Sequence, residues 1–490
     1  MLILSILLEL LVLWPAWRFR RVGMFLTTIL TSFASTGVLI ERPNVFSLIV
    51  CLLGVFRVVN YLRIAKNRMH EVYQQKSVRR SGLILSASQL LIAIGALQTT
   101  LFDWSYPTLV QVIAGLQLMF AIGIAFSAVL NIRNTRYKPK EKYFADRDLP
   151  TVTVAVPARN ETTELQTCLD SLLASDYPKL EILVLDDCSQ DATSETIKKF
   201  AHAGVRFLKG TPPHDSWLAK NHAYQQLYEE ASGSYILFCG VDTHFEVQTI
   251  RNLTTALVNE KLKMLSVLPR RYSQDVKGAI VQPMRYWWEL AVPRRMFGRP
   301  PVLSTCWMID KKVLKKHGGF GAVMRSVVPE AHFAKSLFRK SAYRLVRASS
   351  VLDVQSKKPF LDQKHTALRM RYPQLHKRPE MVALLLVAHV TCLFGPLVTC
   401  IYALIHQNYL GVLLSFTAWS ILNCIHISIV YITNPPNAIL ALVNYPFVIV
   451  YEVYIEISSM LRYEFGEMQW KDRNICLPVM HVTPHLPKID

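Results

Sequence analysis

Acidic and polar side chains recur directly after short apolar runs in the middle of this chain. Three runs are followed in this way, by Pro157, Arg159 and Glu161, by Asp186 and Asp187, and by Asp242. Carboxylate oxygens are hard ligands that suit Mg²⁺ or Mn²⁺, and a carboxylate can also accept a proton from a reacting hydroxyl. If the three groups meet in space, they provide the side chains for metal-assisted or acid–base chemistry.

The apolar runs that precede these residues have the composition of β-strands. The sequence predicts strands at 151–156, 181–185, 205–208 and 235–239, with helices at 162–174, 192–202 and 218–230. Strands that alternate with helices favour a mostly parallel sheet with helices on both faces. In such sheets ligands bind beyond the carboxyl ends of the strands. The three polar groups are therefore predicted to meet in one crevice of an α/β domain.

Two strongly apolar regions flank this α/β segment. Hydrophobic residues make up 51 % of the 490 residues, and charged residues only 18 %. A helix needs about 20 apolar residues to cross the hydrocarbon core of a bilayer. Spans are predicted at 1–17, 22–40, 45–63, 82–101, 108–131, 382–405, 411–432 and 438–461. The chain is therefore predicted to be a multi-pass membrane protein, with one of the last three segments open to a re-entrant arrangement.

Basic residues are distributed unevenly among the loops between the predicted spans. They cluster after the first, third and fifth spans, whereas the alternate loops hold a single basic residue, Arg42. The positive-inside rule then predicts that the α/β domain lies in the cytoplasm. The predicted organisation is a membrane region at 1–131, a basic linker at 132–150, the α/β domain at 151–380, a second membrane region at 381–462 and a tail at 463–490.

The formal net charge of +20 follows largely from these loops, and a basic cytoplasmic face is attracted to anionic membrane lipids. The sequence contains no basic helix interleaved with aromatic residues, so a nucleic-acid partner is not expected. Its nine cysteines include no C-x-x-C pair. That pattern favours unpaired thiols in a reducing compartment over a zinc site.

Several motifs resemble the family 2 glycosyltransferases, namely AVPARNE at 155–161, VLDDCSQD at 184–191 and the aspartate of GVD at 240–242. Four further motifs resemble the membrane-bound branch associated with hopanoid and carotenoid glycosylation: PPHDSWLAKNHA at 212–223, GRPP at 298–301, GGF at 318–320 and MQWKDR at 468–473. The resemblance implies a GT-A fold and an inverting sugar transfer. It also implies a nucleotide-sugar donor, UDP-linked in the first instance, and a lipid or lipid-linked hydroxyl acceptor.

The resemblance also implies which residues bind the nucleotide. Asp187, preceded by Asp186, would contact the base or the ribose, and Pro157, Arg159 and Glu161 would line the same pocket. The alternative is that the two aspartates only form a turn after a strand.

The implied metal ligand is Asp242, and the implied general base is Glu330. The family usually has Asp-x-Asp where this chain has Gly240-Val241-Asp242, so one carboxylate is missing. His244 or His332 would supplement the site, unless they are ordinary packed residues. Glu330 stands where the family carries an aspartate. Alternatively, it is an acid at a helix N-terminus that is stabilised by the helix dipole.

Three basic residues are candidates for offsetting the charge of the diphosphate. Lys220 either meets a phosphate or is a solvated helix lysine. Arg369 and Arg371 lie in the degenerate remnant of a Gln/Arg-x-x-Arg-Trp motif, and they either offset diphosphate charge or flank the next span. The missing glutamine and tryptophan argue against a processive polysaccharide synthase.

Two further groups have a functional and a structural interpretation. Trp287 and Trp288 either guide a lipid acceptor at the membrane surface or are packed in a core. Glu452 and Glu456 lie four residues apart within the last apolar segment, where acids are costly. They are expected to line a cavity or to pair with an arginine such as Arg57.

Two rival functions remain open from the sequence. The first is a catalytically weakened scaffold or partner subunit, which the glycine at position 240 and the lost glutamine and tryptophan suggest. The second is a transporter with a nucleotide-sensing domain, which the eight apolar segments and the two intramembrane glutamates suggest.

Overall fold

The computed structural model of the protein describes residues 4–5, 8, 20–41, 43, 45–67, 88–89, 91–92, 106–137, 144–161, 163–213, 217–271, 284, 286–293, 300–375, 377–470 and 473–476. These residues fall into two compact units. The first unit contains described residues from 1–116 and 375–414, and the second contains those from 117–374 and 415–477.

Three long helices precede the α/β segment, namely α1 (Arg20–Glu41), α2 (Val45–Asn67) and α3 (Tyr106–Thr135). They correspond to the predicted spans 22–40, 45–63 and 108–131, whereas the predicted spans 1–17 and 82–101 lie largely outside the described residues. In the first unit α1 packs closely on α2. A Cβ at Gly54 would lie 2.2 Å from Ser35 Oγ, so only glycine allows this approach.

The first half of the α/β segment alternates strand and helix as predicted. Its elements are β1 (Val152–Ala158), α4 (Thr163–Leu173), β2 (Leu180–Asp186), α5 (Thr193–Lys199), β3 (Val205–Lys209), α6 (Ala219–Glu230) and β4 (Tyr235–Cys239). Asp191 Oδ1 accepts the N–H of Thr193 at 3.0 Å, at the start of α5. This helix is shorter than predicted, because a 3₁₀ turn at Ala201–Ala203 and the left-handed Gly204 end it.

The second half completes a seven-stranded sheet. Its elements are β5 (Thr243–Phe245), α7 (Thr249–Asn259), β6 (Met264–Leu268), β7 (Cys306–Asp310), α8 (Lys311–Lys316), α9 (Pro329–Phe338), β8 (Tyr343–Arg347), β9 (Val354–Ser356) and α10 (Phe360–Gln374). The strand order is β3-β2-β1-β4-β7-β6-β8. Only β7 runs antiparallel to its neighbours in this sheet, and β5 pairs with β9 separately. The predicted fold class, a mostly parallel α/β sheet, is confirmed.

Both faces of the sheet are covered, as the alternation of side chains in β1 shows. Val154 belongs to a buried apolar cluster with Leu169 of α4 and Leu253 of α7. The next residue, Ala155, belongs to a second cluster with Tyr224 of α6 and Phe333 of α9. Because successive residues of a strand point to opposite faces, the two clusters lie on opposite sides of the sheet and hold the strand ends in fixed positions.

Further helices follow the sheet: α11 (Pro379–Ala388), a π-helical turn (His389–Phe394), α12 (Gly395–Ile405), α13 (Tyr409–Thr433) and α14 (Ala441–Glu464), with a hairpin of β10 (Gln469–Trp470) and β11 (Arg473–Asn474). Among the described residues, five helical segments are long and apolar enough to cross a membrane: Gly23–Ile40, Leu109–Thr135, Met381–Ile405, Tyr409–Thr433 and Ala441–Glu464. The length and composition of these helices indicate a membrane protein. Each of the three C-terminal segments has the length of a full crossing.

Within the second unit α14 packs on α10, and a buried ion pair joins them. Arg371 Nε of α10 pairs with Glu452 Oε1 of α14, and both side chains are almost fully buried. Of the two alternatives for Glu452, lining a cavity or pairing with an arginine, the structure shows the pairing. Its partner, however, is Arg371 rather than Arg57, whose Nη2 instead donates to Thr27 Oγ1 at 2.9 Å within the first unit.

The two tryptophans also face α14. Trp287 is buried, and its ring stacks on Tyr445 with centroids 6.4 Å apart. Trp288 Nε1 donates to Glu452 Oε1 at 3.4 Å. The structural interpretation of Trp287 as a core residue therefore holds.

The Arg371–Glu452 pair yields a stability prediction. Glu452→Ala leaves the Arg371 guanidinium buried without its counter-charge, and we expect this to lower the free energy of unfolding by about 3–5 kcal/mol. The double variant Arg371→Met/Glu452→Met removes both charges and should be more stable than Glu452→Ala. Denaturant unfolding in detergent measures both, and a double variant that is the less stable of the two would contradict the role of the pair.

Candidate functional site

A cavity of about 660 Å³ lies at the carboxyl ends of β1, β2 and β4 in the second unit, a size suited to a small-molecule ligand. Seven of the nine predicted site residues line it: Pro157, Arg159, Glu161, Asp187, Lys220, Asp242 and Arg369. The other two, Asp186 and Glu330, are not among its lining residues. The predicted convergence of the strand ends on one crevice is thus observed.

The ends of β1 and β2 are tied together by Arg159. Its Nη1 donates to the backbone carbonyl oxygens of Asp187, at 2.7 Å, and Cys188, at 2.9 Å. The backbone N–H of Asp187 donates to the carbonyl oxygen of Ala158 at 2.8 Å. Cys188 has a φ of 54°, a left-handed conformation that these hydrogen bonds stabilise. Arg159 therefore fixes the turn that presents Asp187 to the cavity.

Asp186 and Asp187 have different roles although they are adjacent. Asp186 Oδ1 accepts the N–H of Ser189 at 3.0 Å, and Asp186 Oδ2 accepts the hydroxyl of Ser194. The turn-forming alternative therefore applies to Asp186, and Asp187 is the residue that lines the cavity. A donor-binding role for Asp186 is indirect, through the turn that it stabilises.

Asp242 follows β4 and also lines the cavity. Its Oδ2 accepts the hydroxyl of Ser356 at 2.9 Å. Burial alone would raise the pKa of Asp242, but Lys358, Arg271 and the Ser356 hydroxyl outweigh burial and hold that pKa below its ordinary value. The carboxylate is therefore ionised at neutral pH.

The glycine at position 240 makes room for the Asp242 side chain. A Cβ at Gly240 would lie 2.6 Å from Asp242 Oδ1, closer than non-bonded atoms normally approach. The first carboxylate of the expected Asp-x-Asp pair is thus absent, and the remaining one occupies space beside the glycine.

A divalent cation beside the end of β4 would find Asp242 as its candidate carboxylate ligand. Among the residues that the structure describes, no three His, Cys, Asp or Glu side chains are grouped to hold a metal ion. The proposed helpers His244 and His332 do not line the cavity. Mg²⁺ is often held by one or two carboxylates together with substrate phosphates and water. Asp242 fits such an ion as a single protein ligand.

Three cations that the sequence analysis missed, Arg271, Lys357 and Lys358, line the cavity near Asp242. Arg271 is 3 % exposed, and its Nε donates to the hydroxyl of Tyr286 at 2.5 Å, so its guanidinium is fixed. The adjacent lysines of the Lys-Lys-Pro sequence directly before α10 could have been recognised from the sequence as candidate ligands of an anion. Nothing in the sequence distinguishes Arg271 from a surface arginine.

Residues of α10 and of the chain at the end of α14 also line the cavity. Asp362, His365 and Arg369 come from α10. Arg462 and Glu467 come from the last turn of α14 and the loop after it. Of these five, only Arg369 was predicted, and its interpretation as a site residue rather than a span-flanking charge is favoured.

Glu330 lies in the first turn of α9 and is fully buried, and it is not among the residues that line the cavity. Tyr224 does line the cavity, and burial raises the pKa of its hydroxyl well above its ordinary value; Glu330 raises that pKa further and Arg369 opposes the shift. Lys220 Nζ sits 5.1 Å from the centroid of the same ring. Glu330 therefore acts electrostatically on a residue of the cavity wall, and its predicted role as a base stays a prediction.

Comparison with known proteins agrees with this geometry. Residues 153–318 match the family described as glycosyl transferase family 2. The probable glycosyltransferase YdaM of Bacillus subtilis is 29 % identical over 184 residues, which cover 36 % of this chain and 44 % of YdaM. The 4,4'-diaponeurosporenoate glycosyltransferase of Staphylococcus aureus is 28 % identical over 158 residues, 31 % of this chain and 40 % of that protein. The chain thus spans less than half the length of these relatives.

The mannosyltransferase PcManGT from Pyrobaculum calidifontis, in complex with GDP-Man and Mn²⁺, is 17 % identical, and the alignment covers 72 % of this chain and 98 % of that protein at a TM-score of 0.44.

The crowding at Gly240 yields a prediction. Gly240→Ala and Gly240→Asp each place a Cβ against Asp242 Oδ1, so the Asp242 side chain must move. We expect both variants to weaken binding of a nucleoside diphosphate with Mn²⁺ by about tenfold, measured by calorimetry, because one charge-assisted contact is lost. Gly321→Ala is the matched control, since a Cβ there meets nothing within 4 Å. Tighter binding by Gly240→Asp would show that the second carboxylate can be restored without crowding.

Proposed function

We propose that this chain, in which residues 153–318 form a glycosyltransferase family 2 domain, transfers a sugar from a nucleotide donor to a hydroxyl of a membrane-borne acceptor. The proposed donor is a UDP-sugar, as the family resemblance implies. The acceptor is a lipid or a lipid-linked saccharide, and the reaction inverts the anomeric carbon.

One observation carries the proposal. A single cavity is lined both by the strand-end carboxylates Asp187 and Asp242 and by Arg462 and Glu467, which lie at the end of a helix long enough to cross a membrane. Ligands of open α/β sheets bind beyond the carboxyl ends of the strands. An acceptor delivered along the membrane helix would therefore reach the place where the donor binds.

At the donor end, Asp187 is suited to accept hydrogen bonds from the base or ribose. Arg271, Lys357 and Lys358 bring positive charge to the neighbourhood of Asp242, where the diphosphate would lie. Hydrogen bonds from charged donors to phosphate are about twice as strong as neutral ones. A Mg²⁺ or Mn²⁺ ion held by Asp242 would, when bound, add further charge neutralisation of the leaving diphosphate.

The membrane setting supports a lipid acceptor. The relative from Staphylococcus aureus is named for diaponeurosporenoate, a carotenoid acid. In this chain the acceptor end of the cavity is polar, with Asp362, His365 and Glu467 among its lining residues. That lining suits the hydroxylated head of a lipid rather than its hydrocarbon tail. The basic loops favour the cytoplasmic leaflet.

The chemical step is an in-line displacement. The acceptor hydroxyl oxygen attacks the anomeric carbon, the bond from that carbon to the diphosphate oxygen breaks with its electron pair, and a base takes the hydroxyl proton. The cations around Asp242 are placed to stabilise the negative charge that develops on the diphosphate. Glu330 is the proposed base, in keeping with the family resemblance.

Nucleotide binding tests the donor end. Asp187→Ala removes an acceptor of hydrogen bonds, and Arg271→Gln removes a fixed positive charge, so we expect each to weaken UDP or GDP binding about tenfold or more by calorimetry. Asp170→Ala is a control on the exposed face of α4. Unchanged affinity in both site variants would contradict the assignment of this cavity to the donor.

Turnover tests the base. If Glu330 takes the proton, Glu330→Gln lowers kcat about 10²–10⁴-fold with little change in the donor KM. Asp362→Asn is the comparison, because Asp362 lines the cavity and Glu330 does not. Loss of kcat in Asp362→Asn together with full activity in Glu330→Gln would assign the proton transfer to the α10 acid.

A catalytically weakened partner subunit is the second candidate function. It is favoured by two observations: position 240 has no carboxylate, and Glu330 is fully buried and does not line the cavity. This candidate predicts that purified protein binds a nucleoside diphosphate yet neither transfers nor hydrolyses any nucleotide sugar. Donor hydrolysis that Asp242→Ala abolishes would exclude it.

A further inference from the structure

The backbone hydrogen bonding of α10 is incomplete at Arg369, one of the α10 residues that line the cavity. Pro373 lies inside this helix and has no N–H, so the carbonyl oxygen of Arg369 lacks the partner that residue i+4 normally provides. The hydroxyl of Tyr463 on α14 donates to that carbonyl oxygen at 2.7 Å. A side chain from the membrane helix thus replaces the missing hydrogen bond of α10.

A second side chain of α14 enters α10 one residue earlier. The hydroxyl of Ser459 donates to the carbonyl oxygen of Leu368 and accepts the N–H of Tyr372 at 3.1 Å. In an uninterrupted α-helix these two backbone groups bond to each other. Insertion of a side chain into this ladder is a recognised cause of local bending. Two consecutive carbonyls of α10, at 368 and 369, therefore depend on hydroxyl groups of α14.

Two further contacts fasten the same stretch of α10 to α14. Tyr372 Oη donates to Glu464 Oε1 at 2.6 Å, and Arg371 pairs with Glu452. Residues 368–372 are thus held along three turns of the membrane helix. The Arg369 side chain, in the middle of this stretch, lines the cavity that Asp187 and Asp242 also line.

We propose that Ser459 and Tyr463 are positioning residues: they hold the opened turn of α10 so that Arg369 faces the anionic part of the ligand. The proposal rests on the proposed function for the identity of that ligand, a nucleoside diphosphate. The carbonyl oxygen of Arg369 receives no bond from position 373, so its position depends on the hydroxyl of Tyr463. A rotation or sliding of α14 would therefore change the position of Arg369 and with it the affinity for the diphosphate.

Removal of single hydroxyl groups tests the proposal. Tyr463→Phe deletes one of these bonds and Ser459→Ala deletes two. We expect each variant to weaken UDP or GDP binding about fivefold or more in the full-length protein in detergent, because a typical hydrogen bond contributes about 1 kcal/mol. Tyr451→Phe is the matched control on the same helix, since no partner of the Tyr451 hydroxyl is found among the described residues. An effect of the control equal to that of Tyr463→Phe would overturn the proposal.

A double-variant comparison separates positioning from general stabilisation. In an Arg369→Ala background the side chain to be positioned is gone, so Tyr463→Phe should have no further effect on nucleotide affinity. If Tyr463→Phe weakens affinity equally in both backgrounds, the hydroxyl does not act through Arg369 and the proposal is wrong.

Hydrogen exchange gives a readout that needs no ligand. We expect the backbone amides of 369–372 and 374 to exchange faster in Tyr463→Phe and Ser459→Ala than in the wild type and in Tyr451→Phe. If the wild type binds neither UDP nor GDP, the proposed function fails, and the exchange data still decide the positioning role. Unchanged exchange in both variants would overturn it.

Discussion

Parallel strands deliver their carboxyl ends to one edge of a sheet, and the site depends on this constraint. β2, β1 and β4 are neighbours in the sheet, although two helices and a third strand separate β2 from β4 along the chain. Asp187 and Asp242 therefore line one cavity although they are far apart in the sequence. The apolar clusters on both faces fix the strands, so the edge is set before any ligand arrives.

The charge balance around Asp242 is set by cations from other parts of the chain. This chain has one carboxylate where the family usually has two, and Arg271 and Lys358 act on it electrostatically. If a diphosphate binds here, as proposed, these fixed cations would offset part of its charge and lower the demand on a metal ion. A Cβ at Gly240 would lie 2.6 Å from Asp242 Oδ1, so a side chain at position 240 requires the Asp242 side chain to move.

A membrane helix must place its polar groups against protein rather than lipid. In α14 the polar side chains of Glu452, Ser459 and Tyr463 find their partners in α10. In turn, the Tyr463 hydroxyl donates to the carbonyl oxygen of Arg369, which Pro373 leaves without its usual N–H donor. Neither helix has complete hydrogen bonding without the other. The cost of a proline inside a helix and the cost of polar groups in a membrane segment are offset at the same interface, next to a residue of the site.

Sequence periodicity alone determined the strands and helices of the first half of the domain, the edge where the polar groups meet and the presence of membrane-length helices, because each of these depends on local composition. The family motifs predicted Asp187, Asp242 and Arg369 as site residues, and all three line the cavity. Only the tertiary structure separated Asp186 from Asp187, buried Glu330 away from the cavity lining and brought Arg271 and Arg462 to the cavity. It alone paired Glu452 with Arg371. These outcomes depend on contacts between residues far apart in the chain, and the direction of a side chain across such a contact is set by packing, which no local pattern encodes.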